Sequence, residues 1–136
     1  MSEGPEPIPT PETLPYWEGA LAGELRIQHC NACSEYYFYP RPFCPKCNSD
    51  DVEWRTVSGR ATLRSYVINE RPLPVFKSDA AQVIALVDLD EGPRMMTNIV
   101  GVEATHDNLP LGLKLHVGFE PRGAWALPVF SPSKEA

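Results

Sequence analysis

Four cysteines stand in two tight pairs, Cys30-Asn31-Ala32-Cys33 and Cys44-Pro45-Lys46-Cys47, and the chain has no others. Two C-x-x-C pairs with ten residues between them are how a chain presents four thiolates to one tetrahedral zinc ion. Each pair grips the metal from a tight turn, and the intervening excursion is long enough to fold back and close the site. Iron accepts the same four ligands, so the ligand set names zinc first and iron second. Two disulfides would need an oxidising compartment, and Met1-Ser2-Glu3-Gly4-Pro5 offers neither a basic start nor an apolar stretch for export. A redox dithiol uses one C-x-x-C beside a strand–helix unit, whereas both pairs here lie in a turn-rich segment. Four sulfurs leave no coordination position for an activated water, so the metal reads as structural.

The elements that must hold these pairs can be read from patterning. Residues 1–9 carry three prolines and little to bury, and read as extended chain. A short helix is expected next, capped by Thr10 or Thr13, with Pro11 or Pro15 in its first turn and Gly23 after its end. Leu14, Trp17 and Leu21 fall on one face at helical spacing, and that face is expected to pack inward, the alternative being a partner surface that Tyr16 and Trp17 would also suit. Leu25 to His29 alternates as a strand leading into the first knuckle. Tyr36-Tyr37-Phe38-Tyr39 reads as a strand crossing between the knuckles with two rings on each face. Val52 to Val57 closes the ribbon. His29 adjoins a ligand but reads as a satisfied or exposed histidine, since four thiolates suffice.

The remainder is strand-rich. Gly59 to Asn69 reads as a strand with Ala61, Leu63, Ser65 and Val67 on one face, and Gln82 to Leu89 as a central strand. Asp90-Glu91-Gly92-Pro93 turns the chain into Arg94 to Val100 as a hairpin. Leu113 to Phe119 and Trp125 to Phe130 supply two more strands. The fold class is therefore mainly β: a short N-terminal helix, a zinc ribbon, then a five-stranded barrel of the OB kind. The expected divisions are 1–23 for the acidic N-terminus and helix, 24–57 for the ribbon, 58–130 for the barrel and 131–136 for a tail.

At 136 residues the chain supports one domain, or two small ones sharing a core. Its 15 prolines fit short strands joined by stiff loops rather than a helical bundle. The net charge of −6 is unevenly spread. Residues 1–23 hold Glu3, Glu6, Glu12 and Glu18 and no base, 24–64 sum to +1, and 65–136 to −3. No apolar run is long enough to span a membrane, so the expected location is the cytoplasm.

Catalytic groupings are missing from the pattern. The sequence has no Gly-rich phosphate loop and no G-x-S-x-G elbow, and every cysteine is committed to metal. His29, His106 and His116 are scattered. Asp88, Asp90 and Glu91 cluster at a hairpin, where carboxylates ordinarily serve the turn. The chain is therefore not expected to be an enzyme by itself.

Several ordered stretches resemble the DUF35 family, which joins a rubredoxin-like zinc ribbon to an acyl-CoA-associated OB-fold. They are Tyr16-Trp17-Glu18-Gly19, Gly23-Glu24-Leu25, Tyr39-Pro40-Arg41-Pro42-Phe43 before the second knuckle, and Trp54 with Val57-Ser58-Gly59-Arg60-Ala61-Thr62 at the ribbon–barrel junction. Ala85 to Arg94 and Leu127-Pro128-Val129-Phe130 complete the likeness, which runs from about Leu14 to Pro132. Ser34 and Asn48 stand after the knuckles where the family often has glycine. Asparagine accepts a left-handed backbone readily and serine less so.

The resemblance implies a non-catalytic accessory subunit. It would bind and stabilise a thiolase-like partner that makes or breaks carbon–carbon bonds on CoA thioesters, as aldolase, thiolase or acyltransferase, in an assembly of two plus two chains. The CoA thioester would be substrate of the complex, with this chain helping to hold it. Tyr16, Trp17, Tyr37, Tyr39, Arg41 and Phe76, the last within Arg71-Pro72-Leu73-Pro74-Val75-Phe76, are the candidate contacts to partner or acyl-CoA. Arg26, Arg60, Lys77 and Arg94 are candidate phosphate contacts. The alternative is a zinc-ribbon and OB-fold protein that binds nucleic acid. A binder of several phosphates needs a basic stripe that this acidic chain lacks.

Overall fold

The computed structural model describes residues 7–38, 40–70 and 81–133. Helix α1 (Leu14–Leu21) precedes eight strands: β1 (Arg26–Cys30), β2 (Glu35–Tyr37), β3 (Val52–Thr56), β4 (Arg60–Asn69), β5 (Gln82–Leu89), β6 (Arg94–Ile99), β7 (Lys114–Arg122) and β8 (Trp125–Pro132). A single 3-10 turn, His106–Asn108, lies between β6 and β7. The first three strands form a small antiparallel sheet in the order β2-β1-β3. The other five close a barrel in the order β4-β5-β6-β8-β7, the Greek-key connection of an OB-fold. Its parallel seam is brief: β6 meets β8 at Ile99 and Phe130.

Helix α1 ends as its sequence dictates. Gly23 takes φ +80°; the Glu24 N–H donates to Gly19 O at 2.8 Å and the Gly23 N–H to Ala20 O at 3.1 Å. That is a Schellman closure, for which glycine is the favoured residue. At the other end Thr13 is the cap but makes no side-chain bond to the first turn. Its hydroxyl accepts instead from the Thr10 N–H at 2.9 Å.

The face that α1 buries differs from the expected stripe. Leu14 and Leu21 are 37% and 54% exposed, whereas Ala20 is buried, as is Gly19. Tyr16, Gly19 and Ala20 face the body of the protein because the helix lies close against β1 and β8. A Cβ on Gly19 would meet Arg26 Cδ at 2.7 Å, so two small residues and the ring of Tyr16, not the two leucines, mark the inward side.

Strand β4 departs from simple alternation as well. Ala61 and Leu63 point inward at 2% and 1% exposure, but the register against β5 shifts between Leu63 and Ser65. This bulge at Arg64 turns Ser65 and Val67 outward and sends Tyr66 and Ile68 toward the core. An extra residue in one strand reverses the facing of all that follow.

The core is common to both sheets. Leu25 and Ile27 from the ribbon side join Leu63, Val87, Leu115 and Phe130 of the barrel in one buried cluster, with Tyr16, Tyr36, Phe38 and Val57 packed around it. The ribbon is thereby seated on the barrel by apolar burial rather than tethered to it.

Candidate metal centre and its surroundings

The four sulfurs converge. All four Sγ atoms lie within 4.8 Å of one another; Cys30 and Cys47 are 3.5 Å apart and Cys33 and Cys44 3.6 Å. A tetrahedral zinc with ~2.3 Å bonds to sulfur sets its ligands about 3.8 Å apart, whereas a disulfide needs ~2.05 Å. The spacing fits one central ion and no disulfide.

Each knuckle is built the same way. The Ser34 N–H donates to Cys30 O at 2.8 Å and the Asn48 N–H to Cys44 O at 2.9 Å. Both closing residues have φ 62°, the left-handed conformation expected after each pair. The knuckles are tied down by the Cys44 N–H to Ser49 O and the Asn31 N–H to Asp51 O, each 2.9 Å. Cys30 and Cys44 are sealed from solvent while Cys47 is exposed, so the centre sits at the surface with one flank buried.

Two of the thiols are pushed in opposite directions. Burial, then hydrogen bonds from the neighbouring thiols, push the Cys33 thiol up to about 12. Burial opposes ionisation of Cys44 as well, yet the N–H groups of Cys47 and Lys46 outweigh it and bring that thiol to about 7. Thiols so crowded ionise together when a divalent ion neutralises them. His29 takes no part: its Nδ1 meets Asn31 Oδ1 at 3.2 Å and its ring stands edge-on to Tyr36.

The other predicted site residues that are described lie on two elements, Tyr16 and Trp17 on α1 and Tyr37 and Arg41 at the approach to the second knuckle. Strand β2 ends at Tyr37, and Phe38 falls in a bend, because Pro40 and Pro42 have no N–H to extend a ladder. Tyr37 is 8% exposed and donates its hydroxyl to Arg41 O at 2.8 Å. It is turned inward, where it braces the approach to the second knuckle rather than offering a contact surface. Tyr16 stacks edge-on with both Trp17 and Phe38, and burial pushes its hydroxyl well above the usual tyrosine range. Trp17 is half-buried and Arg41 is exposed, with the Arg41 N–H donating to Gln28 Oε1 at 2.7 Å. Tyr39, Phe76 and Lys77 lie outside the described residues, as does the loop from Arg71.

The three candidate phosphate cations among the described residues have carboxylate partners. Arg26 Nε reaches Glu24 at 2.9 Å, Arg60 reaches Asp90 at 3.3 Å, and Arg94 reaches Asp88 at 2.7 Å. The hairpin carboxylates thus serve the fold, with Glu91 accepting from the Ser58 N–H at 2.9 Å. An OB barrel that binds oligonucleotides does so on its second and third strands. Here those strands, β5 and β6, present Ile84, Leu86 and Met96 outward, with no aromatic among their outward side chains on which a base could stack. This apolar outer face is a feature that sequence reading missed. The unbroken apolar run Val83 to Val87 was its signal, since alternation is lost when both faces of a strand are apolar.

Comparison with known proteins follows the same two parts. Residues 17–53 match the family model described as "ChsH2, rubredoxin-like zinc ribbon domain", and residues 54–120 that described as "ChsH2, C-terminal OB-fold domain". The chain is 33% identical over 131 residues to a protein of Thermomonospora curvata named "Probable enoyl-CoA hydratase alpha subunit", covering 95% of this chain and 40% of that one. It is 31% identical over 91 residues to a "DUF35 domain-containing scaffold protein" of Methanothermobacter thermautotrophicus, covering 66% of this chain and 67% of the relative. Among solved structures, a chain of "Ltp2-ChsH2(DUF35) aldolase" superposes with a TM-score of 0.80 at 32% identity, covering 93% of this chain and 98% of that one. The chain spans 40% of the length of the hydratase subunit it matches.

Proposed function

Because the chain belongs to the DUF35 family, we propose that it is an accessory subunit of an acyl-CoA-processing complex. In this reading it binds and stabilises a thiolase-like catalytic subunit that cleaves or forms carbon–carbon bonds on CoA thioesters. The observation that carries the proposal is the likeness, over nearly the whole of both chains, to a chain of an aldolase whose name joins two components. The four-sulfur centre supports the non-catalytic half of it. Cys30, Cys33, Cys44 and Cys47 would hold a zinc with its coordination closed, whose contribution is to pin the ribbon. Among the described contact candidates, Trp17 and Arg41 are those with side chains reaching the surface. Two accessory chains around a dimeric catalytic core is the proposed stoichiometry.

The test is affinity capture of the tagged chain from its own cells, with co-eluting chains identified and quantified. A thiolase-superfamily chain recovered in equal amount at moderate salt supports the proposal and directs the next assay to acyl-CoA cleavage and condensation. Recovery of nucleic acid that salt releases, with no such chain, overturns it in favour of an OB-fold nucleic-acid binder.

A further inference from the structure

One face of the ribbon sheet carries a buried polar side chain with one end unused. Gln28 of β1 is 6% exposed, and its cross-strand neighbours are Tyr37 on β2 and Trp54 on β3. Its Oε1 accepts from the Arg41 N–H at 2.7 Å. Its Nε2 donates to no described residue, although a buried amide ordinarily has both ends bonded. The little of Gln28 that meets solvent opens into a notch of about 230 Å³, whose other walls are Pro11, Glu12, Arg41, Pro42 and Trp54. Arg41 is fixed beside it by its backbone: Gln28 holds its N–H, and its carbonyl accepts from the Tyr37 hydroxyl at 2.8 Å. The Arg41 guanidinium remains exposed and has no carboxylate partner among the described residues, not even Glu12 of the same notch, whereas Arg26, Arg55, Arg60, Arg94 and Arg122 are all ion-paired.

These groups together select a ligand. An acyl chain would leave the Gln28 Nε2 and the Arg41 guanidinium without acceptors. A bare phosphate or carboxylate would be repelled by Glu12 and would leave the Trp54 and proline walls unused. A purine nucleotide uses all of them. Its flat ring lies along Trp54, as bases do on aromatic side chains. A ring nitrogen accepts from Gln28 Nε2, an exocyclic amino group donates to the Glu12 carboxylate, and the phosphate pairs with Arg41. The notch is smaller than the ~300–1,000 Å³ sites that engulf a drug-sized molecule, so it holds one base and leaves sugar and phosphate at the rim. We propose that Gln28, Arg41, Trp54 and Glu12 form a purine-nucleotide site on the ribbon, separate from the metal centre. The same ring is carried by a free nucleotide, by the adenosine end of CoA and by single-stranded nucleic acid. The site does not depend on the accessory-subunit reading above.

The test titrates the isotope-labelled, zinc-loaded full chain with AMP and follows the Trp54 indole and Gln28 side-chain amide signals by NMR. Both should shift saturably. Trp54→Leu should weaken AMP binding at least about tenfold, and Arg41→Gln at least about threefold. Arg41→Gln should keep the melting temperature of the unsubstituted chain, because the bonds to Gln28 and Tyr37 are made by the Arg41 backbone. Lys46→Gln, which removes a ribbon cation ion-paired to Glu35 away from the notch, should change binding less than about twofold. CoA and a single-stranded oligoadenylate, titrated in the same way, identify the source of the ring: whichever binds more tightly than AMP supports the site and names its natural ligand. No saturable shift of the two signals at millimolar AMP overturns the proposal. So does ribose 5-phosphate binding as tightly as AMP, which would reduce the site to an anion contact. Unchanged AMP binding by both Trp54→Leu and Arg41→Gln overturns it as well.

Discussion

Ser34 and Asn48 do the same backbone work with different fitness. Both sit at φ 62°, where a side chain costs about 1–2 kcal/mol that glycine does not, offset by the ~0.5–1 kcal/mol of extra chain entropy that glycine loses on folding. Ser34→Gly is therefore expected to stabilise the zinc-loaded protein by about 0.5–1 kcal/mol in urea titrations. Asn48→Gly should do less, because asparagine visits this conformation readily; equal gains at both sites would sink the argument. Glu24 supplies a pH-dependent term at the helix-to-ribbon corner. Hydrogen bonds from Arg26 and Thr56, and the Arg26 charge, hold its carboxyl below the usual glutamate range. A depressed pKa means the stabilisation is full above the unfolded value, about 4.3, and is lost as pH falls through the lower folded value. The advantage of the natural chain over Glu24→Gln should thus be present at pH 7 and shrink on acidification below about 4.3. A difference constant across that range would rule the ion pair out as its source.

At the scale of elements, the junction between ribbon and barrel is the tightest fit. Gly59 has φ +78°, and a Cβ there would meet Val117 Cγ1 at 2.4 Å; Gly23 has φ +80° but open space around it. Gly23→Ala should cost only the backbone strain, about 1–2 kcal/mol. Gly59→Ala adds a collision in a packed wall, of order another 1–3 kcal/mol. Pairing Gly59→Ala with Val117→Ala should recover part of the second loss; no recovery in the double-substituted chain's unfolding midpoint would show that the collision is not the cause. The bulge at Arg64 belongs to this scale too, for it alone decides that Val67 rather than Tyr66 faces out.

For the whole molecule, the shared core makes the ribbon part of the barrel's stability. Leu25 and Ile27 are 2% and 0% exposed within the same cluster as Phe130, so loosening the ribbon opens the barrel's interior. Removing the metal with a strong chelator is expected to lower the unfolding midpoint of the barrel itself, followed by signals from buried groups such as Val87 and Phe130. A barrel that unfolds at the same midpoint with and without metal would mean two independent units.

The cysteine spacing marked the four-sulfur site by itself, because ligands three positions apart on a tight turn are brought together within each pair by local geometry. Strand count and the five-stranded barrel were legible for a related reason: alternation and turn residues are short-range signals, and they placed β5 and β6 within a residue. The facing of α1, the end of β2 and the outward turn of Val67 were decided only in three dimensions. Helical spacing gives the stripe of Leu14, Trp17 and Leu21 but not which side a neighbouring strand can approach; Gly19 and Ala20 allow β1 and β8 closest, and so Leu14 and Leu21 face away. Periodicity likewise cannot see a bulge, since one added residue leaves composition unchanged while reversing every side chain after it. The apolar outer face of β4 to β6 owes Val67 to that reversal and is assembled by the pairing of three strands, which no single stretch of sequence contains.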